Sequence, residues 1–134
     1  MPANIDPRMW KEKPAIVILQ AGGNNLPAKP NDQTSLVTVA NYIIEAGLKC
    51  RKLGALHVLI GGVTMRRTTF LKKRCNELND ILKSLCLLHN FIFINNDEIK
   101  DEHLFNDGVH LNEDGSKILA DNYLSALCDV HHST

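Results

Sequence analysis

The chain has 134 residues, enough for one domain with a hydrophobic core and short for two. Fifteen Lys and Arg balance fifteen Asp and Glu, so no net field draws in nucleic acid or an anionic membrane, and only a local patch could do so. Hydrophobic residues at 44% and charged residues at 22% exclude a disordered chain, and no apolar run approaches the roughly 20 residues of a membrane span.

In chain order, the first element is 15–20 (AIVILQ), a continuous apolar run stopped by Gly22 and Gly23. Such a run suits a parallel strand covered on both faces. Residues 24–34 are polar and read as a loop. Leu36, Val39, Ala40, Ile43, Ile44 and Leu48 then recur at helical spacing, with Thr34 or Ser35 as N-cap and an end near Gly54. The same grammar returns in the next unit. Residues 57–60 form a strand stopped by Gly61 and Gly62, and a polar loop through Arg66 and Arg67 leads to Leu71, Cys75, Leu78, Leu82 and Leu85 at helical spacing. A third strand, 91–94, ends at Asn95 and Asn96. Asn112 then caps a closing helix that carries Ile118, Leu119, Tyr123, Leu124 and Leu127.

Strand and helix alternate throughout, which predicts one α/β domain over 1–134, with a parallel sheet, right-handed crossovers and helices on both faces. Sites in such folds lie beyond the carboxyl ends of the strands. Cys50, Cys75, Cys86 and Cys128 fall on predicted helices without a CxxC pair, so buried reduced thiols are expected. His57, His89, His103, His131 and His132 are scattered, and neither a metal site nor a cofactor is expected. The start shows no basic region followed by an apolar stretch, which makes a cytoplasmic protein the expectation.

Two polar clusters fall at the edge where a site belongs. In the first, Gly22, Gly23, Asn24 and Asn25 come directly off the first strand, where glycines allow a tight turn and an asparagine amide can serve an oxyanion. In the second, Asp107 and His110 stand three residues apart before the last helix, a spacing at which a carboxylate can orient a general base. Each cluster also has a structural reading, because Gly, Asn and Asp are turn and cap formers. Their meeting at one sheet edge is what makes a site of them.

The stretch Gly22-Gly23-Asn24-Asn25 resembles the GxND block of the SGNH hydrolases, also called GDSL-type esterases and lipases, and Asp107-Gly108-Val109-His110 resembles their DxxH block. Residues 57–67 further resemble the SGNH-type esterase domains encoded by some retroelements. The resemblance covers about 12–128 and implies a three-layer, flavodoxin-like fold and a serine esterase mechanism. In that mechanism Asp107 orients His110, His110 deprotonates a serine, and Asn24 donates to the oxyanion, with Gly22, Gly23 and Asn25 shaping the substrate loop and a small-molecule ester as substrate.

One departure stands out. The family's serine lies in a GDS block ahead of GxND, whereas here 21 residues precede Gly22 and none is serine. Ser35, Ser84, Ser116 and Ser125 fall in predicted helices or their caps, so no nucleophile is found. The expectation is an N-terminally truncated SGNH-type domain, inactive alone, with residues 4–13 as a remnant of the preceding helix. A missing neighbour would leave the strand at 15–20 as an open apolar edge. The alternative is a non-catalytic assembly module that self-associates through that edge. A nucleotide-binding domain ranks third, because Gly22 and Gly23 do not complete a GxGxxG pattern.

Overall fold

The structure, a computed structural model, describes residues 15–20, 35–64 and 68–133. The expectations placed on residues 4–13, on Gly22, Gly23, Asn24 and Asn25, and on Arg66 and Arg67 lie outside the described residues. The elements are β1 (Ile16–Gln20), α1 (Leu36–Lys52), β2 (His57–Gly61), α2 (Thr69–His89), β3 (Ile92–Ile94), a 3-10 turn (Asp101–His103) and α3 (Glu113–Ser133). The three strands are parallel in the order β1-β2-β3, with Ile16 opposite His57 and Leu59 opposite Ile92.

Alternation along the strands distributes side chains to two cores. Val17, Leu19, Val58, Ile60 and Phe93 pack with α1 and α2 on one face, against Ala40, Ile44, Leu78 and Leu82. Ile16, Ile18, Leu59 and Ile94 pack on the other face against Tyr123, Ala126 and Val130 of α3. This is the expected three-layer α/β architecture. The continuous apolar runs follow from it, since both faces of each strand meet a helix.

Three local findings refine the sequence reading. Phe91, expected in the third strand, sits in the turn before it: Asn90 ends α2 in the left-handed region at φ 63°, and the Phe91 N–H returns to the Cys86 carbonyl at 2.8 Å. Phe91 is buried there against Gly47, where a Cβ would come within 2.8 Å of the ring, and Arg51 lies 4.5 Å above that ring. Arg51 also donates to the His89 carbonyl at 2.6 Å, so the ends of α1 and α2 are joined.

The expectation of four buried thiols needs correction at one position. Cys50, Cys75 and Cys86 are buried, and burial pushes the Cys86 thiol up to about 11, but Cys128 is exposed on the outer side of α3. The cause is that α3 covers the sheet with a single face. Finally, Ile16 to Leu19 are only half-buried, because among the described residues β1 pairs with β2 alone.

Candidate active site

Asp107 and His110 sit on a small hairpin-like loop. Leu104 and Leu111 form an isolated antiparallel bridge at its base, and the Phe105 N–H donates to the His110 carbonyl at 2.8 Å. The chain reverses through a turn in which the Gly108 N–H donates to the Phe105 carbonyl at 2.9 Å. Gly108 takes φ 69°, a conformation that costs glycine least. Inside the turn, Asp107 Oδ1 accepts the backbone N–H groups of Val109 (2.9 Å) and His110 (3.0 Å). That leaves Oδ2 aimed at the His110 ring, 2.5 Å from Nδ1.

Local sequence therefore builds the pair: an aspartate that closes its own turn, a glycine in the left-handed region, and a histidine delivered back to the carboxylate. The His110 side-chain hydrogen bond, followed by the backbone N–H groups of His110 and Val109, holds the Asp107 carboxyl well below the usual carboxylate range. An ionised Asp107 can only accept, so Nδ1 carries the proton and Nε2 of the neutral imidazole keeps a free lone pair. The His110 side chain is 76% exposed, which leaves Nε2 accessible.

The lowered Asp107 value has a consequence for pH. A carboxyl whose folded pKa is depressed contributes stability that is complete above its unfolded value and is lost progressively as pH falls from there through the folded value. The Asp107 carboxyl carbon is thus expected to show its own protonation step in NMR below the ordinary aspartate value. A midpoint near about 3.9 would show that the turn does not hold the ion.

The loop is anchored from below by Asn112, the predicted N-cap of α3. Its Oδ1 accepts the Gly115 N–H at 2.9 Å, its Nδ2 donates to the Glu102 carbonyl at 2.8 Å, and its backbone N–H donates to the His103 carbonyl at 2.9 Å. Asn112 thus caps the helix and fixes the loop to the 3-10 turn at once. Gly115 lies so close to the His103 carbonyl that a Cβ there would collide with backbone.

A polar network at the carboxyl ends of the strands went unread in the sequence. Gln20 Nε2 and Asn96 Nδ2 both donate to the Gly62 carbonyl, at 2.7 and 2.8 Å. The Tyr123 hydroxyl donates to Gln20 Oε1, and Asn122 Nδ2 donates to Asn96 Oδ1 at 3.0 Å. The network ties α3 to the ends of all three strands. Gln20, the last residue of β1, stands just before 22–25 in the chain, and Tyr123 lies on the helix entered from the Asp107–His110 loop. Nearby, Asn79 of α2 holds the Val63 backbone on both sides, accepting from its N–H at 2.8 Å and donating to its carbonyl at 3.1 Å. Asn79 was detectable in principle, as a polar residue on the apolar stripe of Cys75, Leu78 and Leu82.

The structure brings Asp107 and His110 into contact. It leaves Ser35 at the N-cap of α1 without a side-chain cap bond, and Ser84, Ser116 and Ser125 within helices. Among the described residues no cluster of His, Cys, Asp and Glu could hold a metal ion, and no helix is long and apolar enough to cross a membrane. A cavity of about 220 Å³ opens beside the network, lined by Val63, Lys72, Asn79, Asn96 and Lys100, without Asp107 or His110.

No protein-family model matches the chain, and no curated protein does. Solved structures do. A GDSL-like lipase from Bacteroides thetaiotaomicron aligns with a TM-score of 0.70 at 16% identity, over 87% of this chain and 63% of that one. A putative acylhydrolase from Bacteroides fragilis aligns at 0.70 and 14% identity, over 87% and 62%. The acetylxylan esterase Axe2 from Geobacillus stearothermophilus aligns at 0.66 and 17% identity, over 84% and 59%. At these identities the likeness establishes the fold: the chain has the α/β architecture of the GDSL-type, or SGNH, hydrolases. It spans about three fifths of the length of these solved neighbours.

Proposed function

We propose that the chain is the base-bearing part of a single SGNH-type carboxylic-ester hydrolase domain. The Asp107–His110 contact at 2.5 Å, on a loop entering the last helix of this fold, carries the reading. Axe2 supports it, having been solved as catalytic mutants of a serine, an aspartate and a histidine, the last two three residues apart, as Asp107 and His110 are.

In the reaction, His110 Nε2 takes the proton of a serine hydroxyl as the serine oxygen attacks the acyl carbon of a small-molecule ester. Asp107 stabilises the imidazolium, and the Asn24 amide donates to the tetrahedral oxyanion, with Gly22, Gly23 and Asn25 forming the loop beside it. His110 then returns the proton to the leaving alkoxide, and water cleaves the acyl-enzyme by the same steps. The serine and a second oxyanion donor come from a segment that precedes β1 in the fold. Without that segment the chain does not turn over esters. The likeness of residues 57–67 to retroelement-encoded esterase domains supports an origin of the chain among mobile elements.

Purified 1–134 is expected to hydrolyse 4-nitrophenyl acetate no faster than an equal concentration of free imidazole. Saturable turnover abolished by His110→Ala would overturn the inactivity of the lone chain.

A second reading, assembly through β1, is favoured by one observation: the half-buried Ile16 to Leu19 on a strand with a single partner among the described residues. A discrete dimer in sedimentation, with amide signals of β1 shifting as it forms, would favour it.

A further inference from the structure

Away from the Asp107–His110 loop, a groove of about 520 Å³ runs between the outer edge of β3 and one face of α3. Its floor is apolar, made by Ile92, Ile94, Ala126 and Val130, and Ile92 is 38% exposed. Among the described residues its two charged lining residues, Glu98 and Asp129, are both acidic, and no Lys, Arg or His lines it. We propose that this groove binds an extended peptide in which a short apolar core is flanked by Lys or Arg.

Three features converge on that occupant. The first is the sheet edge itself. Ile94 sends its carbonyl to the Gly62 N–H at 2.9 Å, so the alternation of a strand turns the Phe93 N–H and carbonyl outward, toward the groove. Natural sheets protect such edges with Lys, Pro or a covering segment, and β3 (Ile92-Phe93-Ile94) carries neither residue. An added strand would satisfy these groups and cover Ile92 together.

The second feature is charge. Glu98 follows the carboxyl end of β3, where Asn122 of α3 is bound to the Asn95 carbonyl at 3.3 Å, and Asp129 lies seven residues further along α3. Seven helical residues span about 10 Å, the length of about three strand residues. Glu98 and Asp129 thus both line a groove with an apolar floor, where they can meet basic residues that flank a short apolar core. The third feature is the face of α3. Asn122, Ser125, Ala126 and Asp129 follow helical spacing along the groove, small or polar side chains that leave room for a backbone to lie against β3.

The inference stands apart from the proposed hydrolase chemistry, because none of its residues belongs to that site. Its test is a titration of ¹⁵N-labelled chain with two blocked pentapeptides, one with Val-Ile-Val between lysines and one with the same core between glutamates. The lysine peptide is expected to shift amide signals in β3 and along 122–130. Its affinity is expected to fall about tenfold in the Glu98→Gln, Asp129→Asn double variant, as for two exposed ion pairs. The glutamate peptide is expected to bind at least about tenfold more weakly than the lysine peptide. Equal binding of the two peptides, shifts confined to other elements, or no shifts at millimolar peptide would overturn the proposal. So would a dimer of the chain that gives the same shifts without peptide, since a second copy would then be the occupant.

Discussion

Joined to a strand and helix bearing a GDS serine, the chain is expected to gain ester hydrolysis, and Asp107→Asn in that protein is expected to lower kcat by about four orders of magnitude. The asparagine is isosteric. Its Oδ1 can still accept the Val109 and His110 N–H groups that close the turn, at 2.9 and 3.0 Å in the native loop. What changes is the group facing His110 Nδ1, where a carboxylate that can only accept becomes an amide that can donate. The imidazole then favours the tautomer with its proton on Nε2, which cannot take the serine proton, and the imidazolium loses its counter-charge.

Folding should barely register the same change. An exposed pair of this kind adds little to stability, so the melting temperature of the variant should stay within a few degrees of the parent. A loss of kcat below about tenfold would sink Asp107 as the orienter of a general base. A large drop in melting temperature would show that the aspartate acts mainly on the turn.

The largest effect on stability is expected at Asn79. Its side chain acts as a strand partner for Val63, accepting from the N–H at 2.8 Å and donating to the carbonyl at 3.1 Å, and both residues are buried. Asn79→Ala leaves both backbone groups unpaired away from water, at about 1–3 kcal/mol each, and so should cost about 2–6 kcal/mol. Against a typical domain stability of about 5–15 kcal/mol, that is a large fraction of the whole. Urea denaturation should show a lower midpoint with an unchanged slope. Asn79→Asp should be worse still, because it keeps the acceptor for the N–H but sets a buried charged oxygen against the Val63 carbonyl. A cost under about 0.5 kcal/mol for the alanine variant would mean that water or another group replaces the amide.

Local chemistry explains why the Asp107–His110 pair could be read in advance. Every contact that builds it, from the Asp107 turn to the Gly108 conformation and the Asn112 cap, joins residues at most ten apart in the chain. The strands and helices were legible for the same reason, since period and breakers act within one element. Phe91 was misplaced because its role depends on Gly47 and Arg51, some 40 residues away. Cys128 was misplaced because helical spacing does not say which face a helix buries when it covers a sheet alone.

Gly61 and Gly62 show the division most clearly. By sequence they mark the end of a strand, and they do end it. In the folded chain, Gly61 leaves the space that the Gln20 amide occupies, and the Gly62 carbonyl receives two side-chain amides, one from Gln20 and one from Asn96. By itself the sequence determined the alternation of elements, the parallel sheet and the Asp107–His110 pair, because these rest on periodicity and on contacts within a turn or two. Only the tertiary structure decided the Gln20–Tyr123 link, the hold of Asn79 on Val63 and the acidic groove beside β3. Those need partners 16 to 103 residues apart, or faces of separate elements, brought together by burial of the two cores.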